Sequence, residues 1–573
     1  MPKRLSITIA GAVSLGSYES GVAFEVLDAL SQHNQWADQN GLPDERIEID
    51  VLTGASAGGM TVSMIAQRLL FDGPSMSQPY SNPLYDAWVT DVDIIGLLAR
   101  RPDEDVTHSL LSTDLVIGIS QTYLMGRYPK APELPPPPPA PQPHPALPLD
   151  GKVQLGLSLS NLSGIDYARS TRSGSQFTYT SHEDELVRSL AQPADDRPDV
   201  WETIRAAAVA CGAFPVAFRV QDLLRNIGDY TASPYLVKSL WDGALSRYFT
   251  YTDGGVFQNE PLGMAKNLVD TLPGGHLNAE QRGYLFIAPQ PKTSEDIPYT
   301  TDPNADPGKA FGAANANYKA LVERLAESVI GQSEFQDWVM AEQVNDKLRL
   351  LDTRACELQA LFLDGTLTPA VTTPVSAALL PSFFQEGKVM TPSELANLNG
   401  ARAQLKQQYS LEYAKFGADI VTADAWLDAV LVLELAAGLH EKEEMLIYDF
   451  VADTTQLASN GLHAFEGFFD VSYRKHDYDY GRRMAQKQLA LYKTQSGSVF
   501  ANLHWNPKPI DQIDPNLNNF DMSKVDKSKR QQVYSQICSA ADALLQELYV
   551  NVVVRKALML LFINGQIKKM LAL

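Results

Sequence analysis

The hydrophobic pattern changes period several times along the chain, and each change predicts an element. Leu5-Ser6-Ile7-Thr8-Ile9 alternates with period two, the mark of a strand. A glycine- and serine-rich stretch, Gly11–Gly21, follows it, and Val22–Leu30 then takes helical spacing. Ile47–Leu52 is an apolar β-type run, and Met60–Leu70 is helical again. Further on, Val153–Leu159 and Tyr284–Ala288 read as strands and Trp201–Ala210 as a helix. Asn161–Gly164 reads as the turn that ends its strand, and Cys211-Gly212-Ala213-Phe214-Pro215 as a helix stop. Strands alternating with helices through short glycine-rich connections predict an α/β domain with a mainly parallel sheet over residues 1–300.

From about residue 310 the pattern turns to long helical runs, at 318–330, 335–363, 392–416, 424–439 and 531–573. A mainly α-helical domain is therefore expected over 310–573, with Pro369–Phe384 as a connector. Residues 131–149 hold five consecutive prolines at 135–139 and are expected to form a solvated, dispensable insertion in which His144 is inert. Residues 71–130 carry no clear chemistry; Asp91–Leu98 and Ser112–Val116 are expected to be helical or to form a lid. The mixed aromatic and charged stretch 467–483 reads as a helix bridging the two domains through satisfied polar contacts. The apolar run 552–563, flanked by Arg555, Lys556, Lys568 and Lys569, reads as a core helix, with an interfacial membrane helix as the alternative.

Charge and composition narrow the classes. The chain has 573 residues, 45% hydrophobic and 20% charged, with a net charge of −21. Nucleic acid as a partner is excluded, since it demands a basic surface. Any lipid contact has to rest on apolar surface or a local basic cluster. Three cysteines, Cys211, Cys356 and Cys538, give neither a disulfide framework nor zinc spacing. A reducing, cytoplasmic setting is expected, with peripheral membrane contact as an addition. Met1–Arg4 before an apolar run resembles a leader, but that run is the first strand. No stretch of 18 apolar residues marks a membrane span.

Two stretches carry chemistry on their own residues. Gly54-Ala55-Ser56-Ala57-Gly58 reads G-x-S-x-G between a predicted strand and a predicted helix, the setting of a nucleophile elbow. Its serine is expected as the nucleophile, with the N–H of Ala57 facing an oxyanion formed there. The first strand, its glycine loop and the helix after it make a frame that presents backbone N–H groups to an anion. Gly11, Ala12 and Val13 are the expected oxyanion-hole donors; G-x-G-x-x-G is absent, which argues against a dinucleotide loop. Asp253-Gly254-Gly255, taken alone, reads as a turn.

Together these segments resemble the patatin-like phospholipase family. Four motifs stand in the family's order: Gly16–Gly21, Gly54–Gly58, Ala206–Pro215 and Asp253–Pro261. The resemblance covers roughly residues 5–290. It implies a three-layer α/β/α fold and a Ser–Asp dyad of Ser56 and Asp253, which needs no metal or cofactor. It further implies a lipid acyl hydrolase of phospholipase A type, cleaving glycerophospholipid esters through an acyl-enzyme. A lipase or acyl-thioesterase on the same scaffold is the enzymatic alternative, and a non-catalytic lipid-binding or scaffold protein the other. One departure stands out: Ala12 and Val13 replace two glycines of the family's loop, and Leu15 its basic residue. Valine avoids positive φ, so a rearranged hole, slower chemistry or a changed head-group preference is expected. His276, downstream of Asp253, offers a rival Ser–Asp–His order.

Overall fold

The computed structural model describes residues 1–99, 108–128, 139–170, 175–272 (less 232, 234 and 242), 281–289, 321, 336–384, 390–459 (less 441 and 443), 464–547 (less 512, 515, 516 and 518–520), 552, 555, 556, 559 and 564–573. His276, the prolines at 135–138, the run expected as helix at 318–330 (all but Leu321) and most of 552–563 lie outside the described residues.

The chain divides into two compact units: Met1–Asp337 together with Leu446–Leu573, and Trp338–Met445. The expected division into 1–300 and 310–573 is thereby corrected, because the last 128 residues belong with the first unit. That unit is built on one mixed sheet. Its strands are β1 (Lys3–Ile9), β2 (Ile47–Gly54), β3 (Lys152–Ser170), β4 (Gln176–Ala191), β5 (Gln221–Asn226), β6 (Ser246–Thr252), β7 (Arg282–Ala288) and β8 (Ile447–Val451). The order is β5-β6-β3-β2-β1-β7-β8, with β4 pairing β3. Strands β3, β2, β1, β7 and β8 run parallel, while β4 and β6 pair β3 antiparallel, as β5 pairs β6. Every residue of β2 and β7 is buried, as expected of parallel strands covered on both faces. With its helices the sheet makes the three-layer α/β/α arrangement.

Six helices of this unit matter to the site: α1 (Gly16–Gln39), α2 (Ser56–Phe71), α3 (Ile94–Leu98), α4 (Asp114–Ser120), α5 (Pro198–Cys211) and α6 (Leu262–Thr271). β3 does not end at Asn161–Gly164. Asn161 Oδ1 accepts the N–H groups of Ser163 and Gly164, both at 3.0 Å, and the register against β4 shifts between Ser160 and Ile165 before pairing resumes. The turn signal is real but local, a bulge inside a longer strand. The expected insertion is also partly wrong. Gly73 N–H donates to Gln142 O and His144 N–H to Leu69 O, and Ala146 and Leu147 are buried in the core. His144 is buried, and its Nδ1 accepts the N–H of Ala146 at 3.1 Å, so it is structural.

The second unit, Trp338–Met445, is helical: α7 (Gln336–Leu363), α8 (Pro369–Phe384), α9 (Pro392–Gln408) and α10 (Ile420–Ala437). Its core gathers around fully buried Trp426, whose Nε1 donates to Ala355 O at 3.0 Å. The expected connector Pro369–Phe384 is helix despite Pro374 and Pro381 within it. Leu380 packs in this core, and such packing overrides the local penalty of proline.

Back in the first unit, β8 is followed by α11 (Val471–Tyr492) and α12 (Lys527–Glu547). The stretch 467–483 does not bridge the two units; it crosses α1 inside the first. A Cβ on Gly21 would lie 2.0 Å from Tyr478 O, and one on Gly481 2.2 Å from Tyr18 O, so only glycine permits this approach. Beside the crossing, Arg482 Nε donates to Glu25 Oε2 at 2.9 Å with both side chains buried.

Candidate active site

The site forms where β2 gives way to α2. β2 ends at Gly54, and Ser56 opens α2 with φ +50, a left-handed conformation that throws its side chain out of the turn. The approach is tight: a Cβ on Gly58 would lie 2.3 Å from Ile9 O, and one on Gly59 2.4 Å from Cys211 Sγ. Cys211 is buried beneath the elbow, its Sγ 3.9 Å from Gly54 O. The small residues of the α5 end thus serve packing.

Topology delivers Asp253 to the same place. β3 runs on past the end of β2, which it last pairs at Gly54↔Leu157, and β6 returns antiparallel along β3, with Thr252 opposite Ser160. Asp253 is the next residue, anchored by its N–H to Ala213 O at 2.9 Å. Ser158 Oγ donates to Gly254 O at 3.1 Å and fixes the following turn. Ser56 Oγ donates to Asp253 Oδ2 at 2.6 Å, and Gly255 N–H donates to Asp253 Oδ1 at 2.7 Å. Burial pushes the Asp253 carboxyl from its ordinary 3.8 up to about 7, against the downward pull of these two hydrogen bonds.

The glycine loop lies against this pair. A Cβ on Gly11 would lie 3.0 Å from Ser56 Cβ and 2.2 Å from Asn259 Oδ1, which accounts for glycine there. Gly11 N–H donates to Asn259 O at 3.2 Å, so this expected oxyanion donor is engaged elsewhere. Val13 has φ +50, the left-handed conformation its branched side chain resists, and lines the same cavity as Ser56 and Ala57. Leu15, at the position of the family's basic residue, is buried in the core.

From Ser56 an apolar cavity of about 800 Å³, counted with its mouth, runs between Met60, Trp88, Val116, Ile119, Phe214 and Phe218. Trp88 is held by its Nε1, which donates to Thr61 Oγ1 at 3.0 Å. The segments expected as helix or lid at 91–98 and 112–116 supply much of this wall through α3 and α4.

Residues 7–266 match the sequence profile of the family described as patatin-like phospholipase. This segment is a patatin-like phospholipase domain. Within the domain fall all four motifs, Ser56 and Asp253 among them. The chain is also similar to the uncharacterized membrane protein Rv3479 of Mycobacterium tuberculosis, 26% identical over 65% of this chain and 35% of that protein. It is 22% identical to the uncharacterized protein y4iI of Sinorhizobium fredii, over 50% of this chain and 49% of that one. The chain thus spans about a third to a half of the length of these relatives. Among the described residues, no helix is long and apolar enough to cross a membrane.

Two features of the patatin-like site escaped the sequence. Asn259 stood inside a quoted motif, yet nothing marked it as the residue that holds Gly11. The cavity wall comes from segments that share no period, so no pattern could have gathered it.

Proposed function

We propose that the protein is a serine acyl-ester hydrolase acting on glycerophospholipid esters through a Ser56–Asp253 dyad. The observation that carries this reading is the 2.6 Å hydrogen bond from Ser56 Oγ to a buried carboxylate, with Ser56 in the wall of an apolar cavity. Asp253 in its ionised form accepts the Ser56 proton as Oγ attacks the ester carbonyl. The tetrahedral oxyanion is held by the N–H groups of Ala12, Val13 and Ala57, aligned with the start of α2. Asp253 then returns the proton to the leaving alcohol, which departs and leaves the acyl group on Ser56 Oγ. A water gives its proton to Asp253 and attacks the acyl carbonyl; the acyl bond to Ser56 Oγ then breaks, Asp253 returns that proton to Oγ, and the acid is freed. A carboxylate near pKa 7 suits both halves of this cycle better than one at 3.8.

The test is turnover of a chromogenic long-chain acyl ester and of phosphatidylcholine by the full chain. Ser56→Ala and Asp253→Asn are each expected to lower kcat at least ~10³-fold with the fold intact. Retained activity in either variant refutes the dyad. A thioester or a triacylglycerol turned over faster than phospholipid selects the thioesterase or lipase alternative. No turnover of any ester leaves the non-catalytic reading, to which Ala12, Val13 and Leu15 lend their only support.

A further inference from the structure

The end of the sheet that bears Ser56 is also where the usual distribution of apolar residues reverses. Beyond the last pairing of β2, the distal half of β3 and the β5–β6 hairpin project from the sheet. On β5–β6, Leu223 and Phe249 are register partners facing the core, while Leu224 and Tyr248 are register partners facing solvent, 51% and 71% exposed. Val216 is 71% exposed and lies between Phe214 and Phe218, both of which line the cavity. Its φ is +69, a second valine in the left-handed region. Hydrogen bonds of 2.8 Å from Leu110 N–H to Val216 O and from Leu111 N–H to Ala217 O hold it there. An apolar side chain is therefore presented to water, between two residues of the cavity wall, by a bonded, strained backbone.

The charge of this region differs from that of the chain. Among the described residues of 214–252, Arg219, Lys238 and Arg247 are exposed against Asp222 and Asp229, while Arg225 is buried, in a chain of net charge −21. Arg219, next to the Val216 rim, is exposed. Aliphatic side chains flanked by tyrosine and arginine match the layered chemistry of a bilayer surface, with acyl chains beneath and anionic head groups above. A second copy of this acidic chain would meet repulsion over most of its area.

We propose that this end of the sheet, centred on Val216 and the Leu224–Tyr248 pair, is the face by which the protein docks on a bilayer containing anionic phospholipid. The mouth of the cavity then opens onto the lipid, so that an ester passes from bilayer to Ser56 without crossing water. The proposal rests on the reading of the cavity as an acyl site, but its test does not use turnover.

The full chain carrying Ser56→Ala, which leaves lipid intact, is floated with vesicles of phosphatidylcholine with and without phosphatidylglycerol. Val216→Asp is tolerated by the backbone, since aspartate enters the left-handed region more readily than valine. It and Leu224→Asp are each expected to weaken vesicle binding about tenfold. Arg219→Glu is expected to weaken binding to vesicles with phosphatidylglycerol while sparing the others. The same changes in the active chain leave turnover of a short, soluble ester unchanged, which also reports a native fold. A parent that does not float, or variants that float as well as the parent, overturn the proposal. So does loss of a dimer in sedimentation without vesicle binding, which would assign the face to a second copy. Flotation without turnover of any ester in the active chain refutes the hydrolase reading and leaves the docking face standing.

Discussion

In the proposed dyad, activity and stability depend on the same proton, with opposite signs. Asp253 is fully buried and its carboxyl is pushed up to about 7 from an ordinary 3.8. The folded state therefore holds this proton more tightly than the unfolded chain does. Its contribution to stability is complete below about pH 4 and is lost as pH rises through about 7. The loss is on the order of 4 kcal/mol, from about three units at roughly 1.36 kcal/mol each. The active form is the ionised one, which is the less stable one. Turnover of a soluble ester should rise about tenfold between pH 6 and pH 8, as the ionised fraction goes from about a tenth to about nine tenths. Asp253→Asn removes the charge while keeping the size, so its stability should not follow that decline. Thermal melts from pH 5 to pH 8 should show the variant gaining on the parent as pH rises. About two of those units, roughly 2.6 kcal/mol, fall between pH 5 and pH 8; with roughly 465 residues in the first unit, at about 2.1 cal/mol/K each, that corresponds to roughly 3 °C. A rate that stays flat from pH 5.5 to 8.5, or a Tm difference between variant and parent that ignores pH, would refute the reasoning.

Other outcomes follow from single contacts. Gly11→Ala puts a Cβ 2.2 Å from Asn259 Oδ1 and 3.0 Å from Ser56 Cβ; kcat should fall about 10²-fold with little change in melting, as judged by ester assay and calorimetry. Val116→Trp fills the cavity wall, so kcat/KM should drop more for a decanoyl than for an acetyl ester, and an equal drop for both would argue against an acyl cavity. Arg482→Ala leaves Glu25 buried without its partner, and urea unfolding should register a loss of roughly 3–5 kcal/mol.

The strand–elbow–helix unit around Ser56 was legible because three local signals agree there: an apolar run, paired glycines and a helical period. The meeting of Ser56 and Asp253 is different in kind. It depends on β6 returning along β3, a pairing between residues about 90 positions apart that no local pattern encodes. The family resemblance supplied it. Local signals misled where packing outweighs them. Asn161–Gly164 is a turn in composition and a bulge in fact, because β4 keeps pairing on its far side. Pro369–Phe384 is helix, with Ser376 and Leu380 buried and Leu380 packed in the core of the second unit. Val13 shows the reverse case, a residue whose preference is right in general and overruled at this site, its backbone standing at φ +50 beside the serine.

The position of β8 has a consequence for how the chain matures on the ribosome. β7 pairs β1 on one side and β8 on the other, yet β8 begins at Ile447, long after β7 ends at Ala288. At roughly 5–20 residues per second, translation of the intervening stretch lasts about 8–30 s. Throughout that interval the nascent sheet has a bare edge, apolar from Tyr284 to Ala288 and open to any other extended segment. α11, whose glycine seats against α1, arrives later still. The segment 7–266 that matches the family thus lacks β7, β8 and α11, which extend the sheet beyond β1 and seat against α1. A stop codon in the helical second unit is expected to yield a fragment that holds both Ser56 and Asp253 yet leaves the β7 edge bare, and so aggregates.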